Sequence, residues 1–524
     1  MSVALIPPTA PTVEQEPGRL RAFVAGQRPS LVVGSVVGAL LIMIAIRLPL
    51  GDDLTLHVAV LRRIIADPLH PGNPVIDTGG SSIYYSPYML ALALPGKLFG
   101  LSAITLYKVA AIINVLLLLT GMYRFVRTLT PAGWAPPLAW IGLATWWGTS
   151  AIGWSGFLSL LSLAGTEAYP STLATALALH LWASLNDREA RTLSSPLRMA
   201  GLGAWYGVIL LIHQFTAMNA AIGCAAILIS RHRELRTKAT ARALGAALAA
   251  CVAVVVIWPY YHLWSISQGE LDVLDPVHRP LYAHMATWYA MGVIVGAVAL
   301  ALRWRRAKTD VLVLLFLFAG AVVAYGWLTG HWSYGRSWPT TMLAAQLAVA
   351  VTVAESRARL LRLWVAVVAV MTTVGLMTQA GALVYVLPSA WQPSATSLLR
   401  HTPVPTRAYV DNRPRLSWLD RYLRPNDVVA ADVRVAQYEV AAHGAYDVTT
   451  PWYLPEISTS QWAARNAATR AIFAPTTPAA ERDSLLRKYD VGWLLLTTSE
   501  APPAGADIRL TAEGDGFQLY RVLS

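Results

Sequence analysis

Apolar runs of membrane-crossing length, separated by short arginine-bearing segments, constrain this chain more than any other feature. The first, Leu31 to Ile46, ends at Arg47 and Pro49, and others follow at about 104–123, 134–150, 171–185, 242–261, 287–302, 311–328, 340–354 and 363–387. A crossing helix needs roughly 20 mostly apolar residues. The stretch 200–230 is flanked by Arg191 and Arg198 on one side and by Arg231 to Lys238 on the other. If both basic flanks are cytoplasmic it crosses twice, with its turn near His213; a single long tilted helix is the competing reading. This predicts about eleven crossings, with arginine or lysine in every loop assigned inside and carboxylates, histidines and aromatics in those assigned outside.

Composition agrees. Of 524 residues 55% are hydrophobic and only 13% charged, against roughly 25% charged in soluble domains. The net charge of +12 lies mostly in short loops between apolar runs, which argues against nucleic-acid binding. The two cysteines, Cys224 and Cys251, fall in apolar runs and suggest neither a disulfide nor a metal site. Basic charge carried mainly by Arg, with abundant Ala, suits a high-GC bacterium and hence a bacterial inner (plasma) membrane. Residues 1–28 are expected to form a disordered cytoplasmic segment, and the Leu31 run a retained first span. At Leu387-Pro-Ser the composition turns polar. Residues 389–524 carry β-rich runs at Asp427, Val491 and Phe517 and a helical run over 479–489, which predicts a small extracytoplasmic α/β domain.

The stretch Leu48 to His57 holds the first chemical signal. Asp52 and Asp53 follow the first span at once, and carboxylates beside a membrane usually mark a site. If a helix continues from there, Asp53 and His57 share a face. The plainer reading is a solvated loop with Asp as a helix cap. Residues 50–86 read as a polar loop containing Asp77 and the pair Tyr84-Tyr85, and 86–100 as a helix lying on the membrane interface, broken by Pro95-Gly96. Further candidates are Glu167; His213 and Gln214; His278 and Arg279; and His331, Tyr334 and Arg336. A solvated outer surface also collects such residues. His213 stands apart, because an unpaired imidazole in an apolar run is costly and so should face a polar cavity. Arg336 lies among Trp332, Tyr334 and Trp338: an arginine fork suits phosphate and interfacial aromatics suit a lipid, although an aromatic anchor belt reads the same way. Nucleotide-binding, zinc-protease and serine-hydrolase motifs are missing from the sequence.

This order of parts resembles the GT-C superfamily of polytopic glycosyltransferases that use polyprenyl-phosphate sugars, such as the O-mannosyl-, aminoarabinose and actinobacterial arabinofuranosyl- and mannosyltransferases. The resemblance rests on a first span leading to the acidic pair in Gly51-Asp52-Asp53, an interfacial helix ending Lys97-Leu-Phe-Gly-Leu-Ser102, many spans, and a C-terminal domain. As motif it covers about 50–125 and the turn at 213. It implies a GT-C-like transmembrane domain over 29–388, with Asp52 at the catalytic position and Asp53 as its partner. Asp52 would act as general base, or the pair would hold a divalent cation, Mg or Mn. The donor would be a polyprenyl-phosphate-linked sugar, the acceptor a cell-envelope glycan, lipid or protein, and the anomeric centre would invert. Arg336, with His331 or Arg279, would stabilise the leaving phosphate. The competing readings are a lipid-linked oligosaccharide polymerase or ligase, and a transporter or flippase; the chain lacks the internal repeat common in transporters.

Overall fold

The computed structural model describes residues 17–48, 52–80, 82–188, 192–263, 271–392, 394–395, 397, 416–505 and 507–523. Its helices are α1 (Pro17–Arg47), α2 (Asp52–Ala66), α3 (Pro87–Phe99), α4 (Ala103–Leu129), α5 (Ala135–Thr145), α6 (Leu160–Thr166), α7 (Pro170–Asn186), α8 (Pro196–Ile212), α9 (Gln214–Ser230) and α10 (Lys238–Ile257). They continue with the single turns α11 (Pro280–Ala283) and α12 (Met285–Trp288), then α13 (Ala290–Arg306), α14 (Val311–Thr329), α15 (Trp338–Glu355) and α16 (Ala358–Gln379). This is an α-helical, multi-pass membrane architecture. Among the described residues six helical stretches are long and apolar enough to cross a membrane: Arg28–Arg47, Ala103–Leu129, Lys238–Ile257, Val311–Thr329, Trp332–Glu355 and Arg359–Val386.

Local chemistry sets the breaks. Ser86 caps α3 by accepting from the Met89 N–H, Pro87 sits where a helix needs no donor, and Gly100 closes the helix at φ 65°. Asp310 caps α14 through the Leu312 and Val313 N–H groups while paired at 2.7 Å with Arg303 of α13. The apolar stretch at 200–230 breaks at His213, whose extended backbone ends α8 and whose side chain caps α9. These two helices have 17 residues each, about 26 Å at 1.5 Å per residue, just short of a typical hydrocarbon core. The buried helix α15 lies at the centre of the bundle, packed against α5, α13 and α14. Elsewhere backbones approach closely: α8 and α10 meet where a Cβ on Gly203 would fall 1.9 Å from the Ala247 carbonyl oxygen.

Three expectations change. The helix α1 begins at Pro17, inside the segment expected to be disordered; residues 1–16 lie outside the described residues. The segment 50–86 is not all loop, because α2 occupies Asp52–Ala66. The third apolar run is not a full crossing helix: α5 has 11 residues, about 16 Å. Beyond it the backbone N–H groups of Thr149 and Ser150 donate to the Thr287 carbonyl, so the chain leaves the helix to join a neighbouring turn.

The C-terminal α/β domain contains strands β1 (Val428–Ala431), β2 (Tyr446–Asp447), β3 (Val491–Thr497), β4 (Ile508–Gly514) and β5 (Phe517–Val522) in the order β2-β1-β3-β5-β4. Strand β1 runs parallel to β2 and β3, and β5 runs antiparallel to β3 and β4. Helices α17 (Arg434–Ala442), α18 (Thr459–Phe473) and α19 (Ala479–Lys488) complete the domain. The loop after α2 docks at its edge: Ile76 bridges Asp447 in parallel, the Asp447 N–H donating to the Val75 carbonyl at 2.7 Å.

Candidate active site

Helix α2 opens the site. Asp52 is its first residue, and the Asp52 side chain and Gly51 lie outside the described residues. Asp53 is exposed, and one turn on His57 is buried, 6% accessible. The His57 ring stands edge-on to Tyr84 at 5.8 Å and to Tyr169 at 5.2 Å. Its Nδ1 has no hydrogen-bond partner among the described residues. Burial pulls the imidazole down to about 3, so it is neutral at ordinary pH.

Arg336 comes from the far end of the membrane domain, on the 3₁₀ turn Trp332–Ser337 that leads into α15. Its Nη1 donates to the Ser155 carbonyl, and its guanidinium carbon lies 5.2 Å from the centre of the Phe215 ring and 5.7 Å from that of Trp154. Nε is buried with no partner among the described residues. Asp53 and Tyr84 both interact electrostatically with this guanidinium. The turn is fixed from two sides. The Arg336 carbonyl accepts from the Asn219 amide at 2.9 Å, and the Asp275 carboxylate accepts the N–H groups of Trp332 and Ser333 at 2.7 and 2.8 Å.

Tyr84 is the common neighbour, in electrostatic reach of Asp53, Glu456, Tyr438 and Arg336, with burial the main influence keeping its hydroxyl protonated. His213 faces the same space. Its Nδ1 bonds Thr216 Oγ1 at 2.8 Å, and its ring interacts with Arg336 and His57. Next to it a small cleft, partly open to solvent, runs between α7, α9 and α15. His213, Asn219, Ser155 and Arg336 make its polar part, and Ala178, Trp182 and Leu343 its apolar part. From Thr175 to Trp182 it follows α7 for about 10 Å. A charged mouth over an apolar slot suits an amphipathic molecule with a small anionic head.

The structure thus brings Asp53, His57, Tyr84, His213 and Arg336 together. His278 joins at the rear, buried with its ring 5.5 Å from Phe215 and 6.3 Å from Trp154, and Gln214 lies half-buried at the start of α9. Glu167 is buried beside this group. Neither carboxyl oxygen has a partner among the described residues, and burial raises its pKa well above the carboxylate range. The other candidates lie elsewhere. Asp77 is exposed and its carbonyl accepts from Arg465 of the C-terminal domain, while the fully buried Tyr85 interacts with Arg63 and Tyr446 at the same interface. Arg279 and His331 are exposed, and Tyr334 packs edge-on to Tyr325. Sequence reading missed Trp154, Tyr169, Phe215, Asn219 and Glu456. A polar or aromatic residue beside a loop was the only signal any of them offered.

No family model matches the sequence, and no curated protein matches it by sequence. Solved structures do match by fold. The oligosaccharyltransferase of Archaeoglobus fulgidus, solved with a tethered acceptor peptide, superposes with a TM-score of 0.50 at 11% identity over 89% of this chain and 69% of its own. The arabinofuranosyltransferase AftD from Mycobacteria superposes with a TM-score of 0.53 at 13% identity over 94% of this chain and 40% of its own. The architecture is the GT-C fold, as the resemblance implied. At these identities the likeness is one of fold.

Proposed function

We propose that this chain is a membrane glycosyltransferase that moves a sugar from a polyprenyl-phosphate donor to a hydroxyl of a cell-envelope acceptor. One observation carries the reading: within a GT-C fold, Asp53 of α2 and Arg336 of the turn before α15 both interact with Tyr84, and Arg336 also lines an amphipathic cleft. The two solved structures named above are both glycosyltransferases, which supports the class. They differ in the transfer their names describe, so this chain's sugar and acceptor are set by its own site.

The chemistry follows from the residues. The donor's phosphate lies against Arg336, whose Nε has no partner among the described residues, and its isoprenoid tail enters the cleft toward Trp182 and Leu343. The acceptor hydroxyl approaches from the α2 side, where Asp52 takes its proton and Asp53 supports the charge. The acceptor oxygen bonds to the anomeric carbon as the bond from that carbon to the phosphate oxygen breaks. The electron pair leaves with the phosphate, and its charge is met by Arg336. Attack opposite the leaving group inverts the anomeric centre. His57, neutral and buried, and His213, fixed to Thr216, shape the pocket as hydrogen-bonding groups.

Among the described residues no three His, Cys, Asp or Glu side chains gather into a cation site. Magnesium typically needs only one or two carboxylates beside a substrate phosphate, so Asp52 and Asp53 are the residues that would hold a divalent ion. That ion would supply charge stabilisation at the phosphate, and the proton transfer above needs no ion. In this reading the N-terminus lies in the cytoplasm, and the domain over 389–524, with α2 and the interfacial helix α3, on the outer face of a bacterial inner membrane. The test is sugar transfer in detergent with a panel of polyprenyl-phosphate sugars, with and without chelator. Wild type should transfer one of them, and Asp52→Asn should lose at least a hundredfold in rate while staying folded. Full activity of Asp52→Asn and Asp53→Asn would remove the pair from the reaction.

A further inference from the structure

The C-terminal domain reaches the candidate site through Glu456 and Tyr438. Glu456 Oε1 accepts from the Ser82 hydroxyl at 2.5 Å and from the Ile83 N–H at 2.9 Å, which seats the carboxylate on the turn just before Tyr84. Oε2 is buried and has no partner among the described residues. Leaving such an oxygen unmatched costs free energy that a ligand donor would recover. Tyr438 of α17 also interacts with Tyr84, and it stacks on Trp452 at 4.7 Å and 28° with both rings half-exposed. The site therefore has a second wall, contributed by residues more than 350 positions from Tyr84 in the chain.

This wall has the chemistry of a sugar surface. Hydroxyls supply the O–H donors that a carboxylate oxygen accepts, and an aromatic pair offers an apolar face to a pyranose or furanose ring. Neither Glu456 nor Tyr438 lines the cleft below Arg336. A carboxylate beside the donor phosphate would also be repelled by it. We infer that Glu456 and Tyr438 form the acceptor subsite, and that the acceptor brings a saccharide with neighbouring hydroxyls to it. The inference rests on the glycosyl-transfer reading above.

Glu456→Gln tests it well, because the amide oxygen can still accept from Ser82 and Ile83 while the negative charge is gone. Transfer would be measured with synthetic hexose and pentose oligosaccharides as acceptors, varying acceptor and donor separately, beside thermal melting in detergent. The expected result is a rise in acceptor KM of about tenfold or more with donor KM and melting temperature unchanged, and a similar loss in Tyr438→Ala. An unchanged acceptor KM, an equal change in donor KM, or an effect confined to amine-bearing acceptors would overturn the acceptor subsite while leaving the transferase reading intact. Absence of transfer by the wild type across the panel would overturn the transferase reading and the subsite with it.

Discussion

Arg336 and His57 show how burial assigns work to residues in this site. Arg336 is held among two aromatic rings and one carbonyl with a donor left over, an arrangement ready for an anion and poor for anything else. His57 is buried, which disfavours its charged form. The sign of the resulting pH effect is fixed. The unfolded imidazole takes up a proton below about 6.5 while the folded one does so only near 3. Stability is therefore lost as pH falls through that window and is unaffected by His57 above it. Between pH 6.5 and 5 the loss amounts to about 2 kcal/mol. Thermal melting in detergent should show wild type weakening over this range more steeply than His57→Gln; parallel curves would mean that the imidazole is hydrated. Asp53 and His213, which the fold brings beside Arg336, stood out in the sequence because a polar or charged group next to an apolar run is costly wherever it sits. Tyr169, Phe215 and Glu456 were not, because their importance lies only in what the fold brings beside them.

At the scale of elements, the cleft exists because α7 and α9 lie close together. Gly223 of α9 faces Trp182 of α7, and a Cβ there would fall 2.0 Å from the indole; the Trp182 Nε1 donates to the Ala220 carbonyl at 2.9 Å. Gly223→Val should push that ring into the cleft it lines, costing about 1–3 kcal/mol of stability and raising the donor KM. Unchanged melting and kinetics would show that the two helices can separate freely. Helix limits were legible where capping chemistry marked them, as at Ser86 and Gly100 of α3 and Asp310 of α14. The end of α5 was hidden, because Trp146 and Trp147 continue the apolar run after the helix has stopped. Hydropathy does not register a break made by bonding to the distant Thr287 carbonyl.

For the whole molecule, the C-terminal domain packs against α2 and the loop that follows it. Arg63 of α2 is one buried tie, 3.6 Å from the centre of the Tyr446 ring and donating to Asn426 at 2.6 Å. The exposed Arg62–Asp420 pair at 3.0 Å adds little. Arg63→Ala should loosen the dock by about 2 kcal/mol. Amide exchange should then quicken at Ile76 and Asp447 while α15 keeps its protection; unchanged exchange at those positions would place the tie elsewhere. The multi-pass design and the C-terminal α/β domain could be read from apolar runs and a change in composition. The docking could not, since it depends on the register between a loop after α2 and the edge strand β2.

The central claim is that one site, built from α2 and the turn before α15, transfers sugar from a lipid phosphate. The most direct measurement follows both products at once, sugar joined to acceptor and free polyprenyl phosphate, in wild type and Arg336→Lys. Wild type should give equimolar products, and Arg336→Lys a rate lower by about a hundredfold or more with an unchanged melting temperature. Equal rates in the two proteins, or transfer that releases no polyprenyl phosphate, would contradict it.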